Sequence, residues 1–122
     1  MKNQAYRMAL LYDFYGDMLT DRQKEFYDLY YNEDLSLAEI AENYNITRQG
    51  VRDVIVRAEG ILEELEEKTG IIRRFKKMQG QLEEIEKRTD EINAANIRGA
   101  YDNQIFSLCE EIKRTVAAMK QE

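Results

Sequence analysis

Residues 35–62 constrain the fold more than any other part of the chain, because they carry start and stop signals for two consecutive helices. Ser36 is a good N-cap residue, and Glu39 three positions later completes a capping box. Thr47 is an N-cap for a second helix, and Asn45 tolerates the left-handed backbone that a corner between helices often needs. Two short helices joined in this way are typical of a helix-turn-helix, a unit that commonly lays its second helix in the DNA major groove.

The second helix of this unit has one apolar side. Its apolar residues recur at helical spacing: Val51, Ile55, Ala58, Leu62 and Leu65. The pattern continues to about Lys68, and Gly70 then stands where a C-cap glycine belongs. We expect Ile40 and Ala41 of the first helix to pack on this apolar side.

Helical signals continue on both sides of this unit and predict an all-α chain. Residues 5–16 have a helical apolar side, and Thr20 with Gln23 opens the next helix as a capping box. Beyond Gly70 the apolar residues alternate by three and four, as in a heptad seam: Phe75, Met78, Leu82, Ile85, Thr89 and Ile92. Residues 93–104 predict a break or short loop. A last helix follows, with one apolar face: Ile105, Leu108, Ile112, Val116 and Met119.

These patterns divide the chain into a helix-turn-helix domain, residues 1–69, and a helical extension, residues 70–122. The seam of the extension is too narrow to bury itself, so it needs an apolar partner. Its helices could fold back as a hairpin, dock on the first domain, or pair with another copy of the chain. We therefore expect the extension to cap the core or to hold a homo-oligomer.

The composition agrees with long solvated helices. Proline is absent, glycine occurs six times, and 34% of the residues are charged. The sequence has no apolar run of about 18 residues that could span a membrane and no secretory signal pattern. A single cysteine, Cys109, cannot form an internal disulfide, and it is expected to be a buried structural thiol. A cytoplasmic protein is the expectation.

Catalysis is poorly supported by the residue types present. Histidine is absent, so the commonest acid–base group at neutral pH is missing and Cys109 has no histidine to activate it. The sequence has no glycine-rich phosphate loop. Carboxylate pairs such as Glu63-Glu64 and Glu66-Glu67 are interpreted as solvated helix faces rather than as metal sites. We therefore expect no enzyme activity, no cofactor and no metal.

Five tyrosines between residues 12 and 31 allow two interpretations. They could be stacking platforms for bases, or they could line a small helical core and keep their hydroxyl groups hydrated. Helical spacing favours the core for this group: Tyr12, Tyr15, Tyr27, Tyr30 and Tyr31.

A candidate DNA-reading face lies opposite the apolar side of the second motif helix. In the first turn, Arg48 and Gln49 would meet base edges if the helix entered a major groove N-terminus first, since glutamine pairs with adenine and arginine with guanine or phosphate. The backbone N–H groups of that turn can also hold a phosphate. The whole candidate set is Thr47, Arg48, Gln49, Arg52, Asp53 and Arg57. The alternative, that the arginines are ordinary solvated side chains, stays open on spacing alone.

The acidic net charge of the chain argues against DNA binding. The net charge is −6, and residues 20–62 carry five basic and nine acidic side chains, hence −4. Typical nucleic-acid binders are basic, because neutralising phosphates supplies most of their affinity. One basic cluster stands out: Arg73, Arg74, Lys76 and Lys77. It could grip a nucleic-acid backbone, or it could offset the acidic run at residues 63–67.

About residues 8–76 resemble the YlxM-type proteins of Gram-positive bacteria, through the segments DFYGDMLT, YYNEDLSLAEIAE and TRQGVRD. Residues 35–62 are also similar to the promoter-binding region four of housekeeping sigma factors, where the positions matching Arg48, Gln49, Arg52 and Asp53 face DNA. The resemblance implies a sigma-region-four-like helical fold and a DNA-binding regulatory role tied to the signal recognition particle pathway. The alternative is an accessory protein that binds the RNA or protein of that particle instead of DNA.

Overall fold

The computed structural model describes residues 4–121, which form six α-helices and one short 3-10 helix without any strand in that range. The helices are α1 (Ala5–Tyr15), α2 (Asp21–Tyr31), α3 (Leu37–Tyr44), α4 (Arg48–Thr69), α5 (Ile71–Arg98) and α6 (Asn103–Lys120). The 3-10 helix, Gly16–Met18, joins α1 to α2. The predicted all-α class is confirmed.

The chain divides into two compact units, one ending at Ile72 and the other beginning at Arg73. The boundary lies inside α5, whose first two residues belong to the first unit. None of the described helices is both long and apolar enough to cross a membrane.

The predicted caps of the first unit form as hydrogen bonds. In the capping box of α3, the amide of Glu39 donates to the Ser36 hydroxyl at 3.1 Å, and the Glu39 carboxylate accepts from the Ser36 amide at 3.2 Å. Thr20 and Gln23 form the equivalent box at the start of α2. These local bonds satisfy amide groups that have no partner inside the helix, and they fix where each helix begins.

The core of the first unit has two clusters that share the apolar side of α4. One joins α4 to α1 and α2 through Met8, Leu11, Tyr15, Leu19, Tyr27, Ala58, Leu62 and Ile72. The other joins α4 to α2 and α3 through Phe26, Tyr30, Ile40, Ala41, Val51 and Ile55. Tyr12 and Tyr31 are partly buried and pack against these clusters. All five tyrosines therefore lie in or against the core, as the core interpretation predicted.

One buried carboxylate corrects the interpretation of the acidic runs as wholly solvated. Glu66 is 8% exposed, whereas the neighbouring Glu67 is exposed. The Glu66 carboxylate accepts from the Tyr15 hydroxyl at 2.6 Å and from the Ile72 amide at 2.9 Å. Gly70, with φ 63°, ends α4 in the left-handed conformation, as predicted for a C-cap glycine.

The second unit is a hairpin of α5 and α6, and its turn is shorter than the predicted break over residues 93–104. Helix α5 continues to Arg98, so the break covers only residues 99–102. The Asn96 side chain donates to the carbonyl of Asp102 at 3.0 Å and accepts from its amide at 2.9 Å. Asp102 also caps α6 through the amide of Gln104. The asparagines that suggested a loop therefore include the residue that closes the turn.

The buried positions of this hairpin differ from the predicted faces. In α5 the seam is buried at Leu82 and Thr89, but Met78, Ile85 and Ile92 are 40–47% exposed. In α6 the buried residues are Cys109 and Val116, and the other members of the predicted face are 39–50% exposed: Ile105, Leu108, Ile112 and Met119. The predicted burial of Cys109 is confirmed. Each helix therefore buries one edge of its apolar stripe and leaves the other edge open.

Candidate nucleic-acid interface

The corner between α3 and α4 sets the direction in which α4 leaves the core. Asn45 adopts the predicted left-handed conformation, with φ 55° and ψ 44°, and its amide donates to the end of α3. The next amide, of Ile46, donates to the carbonyl of Ala41 at 3.1 Å. The corner is therefore closed by backbone bonds, and it places Thr47 directly at the start of α4.

The first turn of α4 presents backbone donors at its open end. The Thr47 hydroxyl accepts from the Gly50 amide at 2.9 Å. The amides of Arg48 and Gln49, as in any first helical turn, have no partner within the helix. A side chain at Gly50 would meet the Thr47 hydroxyl oxygen at 3.2 Å, so glycine here leaves room for the cap. This end of α4 can donate to an anion such as a phosphate.

All six predicted reading residues are exposed, five of them on α4 and Thr47 at its N-cap: Thr47, Arg48, Gln49, Arg52, Asp53 and Arg57. The opposite side of the same helix is fully buried at Val51, Ile55 and Ala58. Three arginines and one aspartate in this segment give it a local charge of +2, within a chain of net charge −6. The candidate reading face is therefore basic although the chain is acidic.

Two members of the face are already paired with each other. The Gln49 amide nitrogen donates to the Asp53 carboxylate at 2.8 Å, an i, i+4 pair that a helix favours. This bond orients the Gln49 side chain and occupies one oxygen of the Asp53 carboxylate. The four-residue spacing in the sequence was the signal for this pair.

Arg22 is a candidate binding residue that sequence reasoning missed. A groove of about 610 Å³ lies between the start of α2 and the exposed side of α4. Its lining residues are Thr20, Arg22, Gln23, Asp53, Val54, Val56 and Arg57. The guanidinium of Arg22 lies over the Phe26 ring at 5.2 Å, which holds it on this surface. Arg22 and Arg57 are distant in sequence, so only the packing of α2 on α4 reveals that they share a groove.

The four basic residues near the start of α5 lie on a different unit from this face. Arg73, Arg74, Lys76 and Lys77 are all exposed and belong to the second unit. In the acidic run at residues 63–67, Arg7 pairs with Glu63 at 2.5 Å and Lys68 pairs with Glu64 at 2.9 Å. The acidic run thus has basic partners of its own in the first unit.

Residues 4–121 offer no cluster of three or more carboxylate or thiol groups placed to hold a metal ion. The chemistry available at the α4 face is hydrogen bonding by arginine, glutamine and backbone amides. Those groups bind base edges and phosphates.

The helical fold and its paired α3 and α4 define the chain as a helix-turn-helix protein. The family described as "Putative helix-turn-helix protein, YlxM / p13 like" matches residues 2–104. The chain belongs to this YlxM/p13-like family, also named UPF0122.

Relatives cover most of the chain. A UPF0122 protein of Thermoanaerobacter sp. strain X514 is 43% identical over 109 residues, which are 89% of this chain and 90% of the relative. One from Acetivibrio thermocellus is also 43% identical over 109 residues, covering 89% and 92%. One from Desulforamulus reducens is 50% identical over 82 residues, covering 67% and 70%.

Proposed function

We propose that this protein is a cytoplasmic, non-enzymatic regulator that binds duplex DNA through the exposed face of α4. The observation that supports the proposal is the contiguous basic face on a capped helix whose opposite side is buried in the core. A rigid helix of this kind can present several side chains to a major groove in one register.

Each residue of the face has a role in this proposal. Arg48 and Arg52 contact guanine edges or phosphates, and Gln49 contacts adenine. Asp53 accepts from a cytosine amino group or keeps Gln49 oriented. The amides around Thr47 hold one phosphate of the DNA backbone, and the groove that contains Arg22 and Arg57 holds another.

A second candidate function is an accessory protein of the signal recognition particle, binding its RNA or protein. The exposed basic residues of α5 support this candidate, because four cations within five residues suit a phosphate backbone. The acidic balance of the whole chain would suit a basic protein partner.

Fluorescence anisotropy at two salt concentrations tests both candidates. The ligands are pooled duplex DNA from the host genome and the host's signal recognition particle RNA. The double variant Gln49→Ala/Arg52→Ala should bind DNA at least about 30-fold more weakly than wild type, because two base contacts are removed. The control Arg114→Ala/Gln121→Ala removes the same residue types from exposed positions of the second unit and should bind like wild type.

The remaining outcomes separate the candidates. One outcome is RNA binding that survives Gln49→Ala/Arg52→Ala but is lost when four residues are changed to alanine: Arg73, Arg74, Lys76 and Lys77. This outcome would favour the accessory function over the DNA-binding regulator. DNA binding that both double variants weaken equally would contradict a reading face on α4. Binding to neither polynucleotide would contradict both nucleic-acid candidates and leave a protein partner.

A further inference from the structure

The hairpin of the second unit buries a single edge of each helix. In α5 the buried residues recur every seven positions, at Leu82, Thr89 and Asn96, and in α6 Cys109 and Val116 are also seven apart. Two ion pairs join the helices, Asp90 with Lys113 at 3.1 Å and Glu86 with Lys120 at 2.9 Å. By helical position, Asp90 lies across the buried edge from Met78, Ile85 and Ile92, so the Asp90–Lys113 ion pair lies on the side away from these apolar residues.

The other side carries two rows of exposed apolar residues with the same seven-residue spacing. The α5 row is Met78, Ile85 and Ile92, and the α6 row is Ile105, Ile112 and Met119. These six side chains, called the open rows below, are 39–47% exposed. All but Ile105 line an apolar groove of about 720 Å³. A seven-residue apolar repeat is the pattern of helices that pack against further helices.

The open rows lie side by side on the two helices. The ion pairs of Asp90 with Lys113 and of Glu86 with Lys120 set the register of the antiparallel helices. In this register Ile92 lies near the level of Ile112, and Ile85 lies near the level of Met119. An apolar surface of this kind is self-complementary, so it can meet an identical surface across a two-fold axis.

We propose that the open rows are the interface with a second copy of this chain, so that two hairpins form an antiparallel four-helix bundle. Six side chains of this exposure present roughly 500 Å² per chain, about half of the area that a specific interface needs from both partners together. Two copies would then bury on the order of 1,000 Å² before the rims are counted, which reaches the lower bound for a specific interface. Such a patch is also at the upper end of what monomers leave exposed.

The charged residues at the edge of the groove are also compatible with a second copy of this chain. Glu84 and Arg88 line the groove and pair with each other at 2.6 Å, and Arg88 also pairs with Glu91 at 3.3 Å. Since this rim carries both signs, a second copy brings no uniform like-charge repulsion against it. The dimer would contain two helix-turn-helix units, as dimeric proteins that bind paired DNA half-sites do. This inference does not depend on the proposed DNA contacts.

Sedimentation equilibrium of the full chain tests the inference. At tens of micromolar, wild type should have twice the 14.4 kDa mass of one chain. Ile85→Glu should weaken the dimer at least about 100-fold, because each dimer buries the added charge twice. The matched control is Ile97→Glu on the same helix, at a residue that is 67% exposed and lies off the open rows, and it should remain dimeric.

A charge exchange keeps the test independent of misfolding. Ile92→Lys alone and Ile112→Glu alone should each be monomeric, while an equal mixture should regain the dimer mass, because Ile92 of one hairpin lies opposite Ile112 of the other when α5 packs on α6 of the second copy. Three outcomes would overturn the proposal: a monomeric wild type, a dimer that Ile85→Glu leaves intact, or equal loss in Ile85→Glu and Ile97→Glu.

Discussion

Glu66 shows how one residue can join two elements that the sequence pattern treats separately. It lies near the end of α4, and its carboxylate accepts from Tyr15 of α1 and from the amide of Ile72 in the first turn of α5. The Tyr15 hydroxyl also shares a hydrogen bond with Thr69 at 2.6 Å. Glu66 therefore satisfies polar groups beside the boundary between the two units.

We expect Glu66→Ala to lower the free energy of unfolding by about 2–3 kcal/mol. The change leaves the buried amide of Ile72 without this acceptor, and unsatisfied buried donors are costly. Glu66→Gln keeps one acceptor oxygen and should cost less. Urea unfolding gives the difference, with Glu67→Ala as the exposed control within about 0.5 kcal/mol of wild type. Equal effects of Glu66→Ala and Glu67→Ala would contradict the structural role.

Two tyrosines of the first unit make stability depend on pH in the alkaline range. Burial raises the pKa of Tyr27, whose hydroxyl donates to the carbonyl of Met8 at 2.6 Å. Burial and the hydrogen bond donated to Glu59 raise the pKa of Tyr31. Both phenols hold their protons more tightly in the folded protein than in the unfolded chain, where the pKa is about 10.

The contribution of these two phenols to the free energy of unfolding should therefore be constant below about pH 9 and fall above about pH 10, where the unfolded chain releases protons that the folded protein retains. The fall is at most about 1.4 kcal/mol per pH unit for each tyrosine. Tyr31→Phe should reduce the slope, since it removes one of the contributing groups. Urea unfolding over a pH series measures it, and an unchanged slope in Tyr31→Phe would exclude Tyr31 as a contributor.

At the scale of elements, the α3–α4 corner depends on the backbone of one residue. Asn45 has φ 55°, which costs most side chains about 1–2 kcal/mol and glycine almost nothing. Asn45→Val should lower the free energy of unfolding by at least about 1 kcal/mol, while Asn45→Gly should stay within about 0.5 kcal/mol of wild type. Thermal unfolding measures both changes.

The control for this prediction is Asn43→Val, at an exposed asparagine inside α3. Asparagine and valine have similar helix propensities, so this variant should be close to wild type. If Asn43→Val and Asn45→Val were equally destabilised, the left-handed corner would not be the cause.

Element boundaries were predictable where a cap signal was local. The capping boxes at Thr20 and Ser36 and the C-cap at Gly70 are formed by residues within a few positions of one another, so the sequence contains the whole interaction. The end of α5 was not predictable in this way. The Asn96 side chain bonds the backbone of Asp102 across the turn, and the turn has to exist before that bond can form.

For the whole molecule, the net charge opposes DNA binding, whereas the local charge at the start of α4 favours it. A chain of net charge −6 is repelled by DNA at long range, whereas residues 47–57 at the start of α4 carry +2. Screening by salt weakens the long-range repulsion more than it weakens close contacts. The net charge alone therefore does not decide whether the α4 face binds DNA, and titration at two salt concentrations addresses it directly.

The two units also differ in how they bury apolar surface. In the first unit α4 is covered by α1, α2 and α3, so Val51, Ile55 and Leu62 are fully buried. The second unit has two helices, and each has only one neighbour in the hairpin. Its open rows follow from that geometry, and a second copy would supply the missing neighbours.

The sequence by itself determined the helical class, the caps, the α3–α4 corner and the exposed side of α4. Each depends on residues close together in the chain, and helical periodicity then assigns Val51 and Ile55 to one side and Gln49 and Asp53 to the other. Tertiary structure decided the burial of Glu66, the groove shared by Arg22 and Arg57, and the open rows of the hairpin. Those features depend on which helices become neighbours, because burial is a property of contacts between residues far apart in sequence.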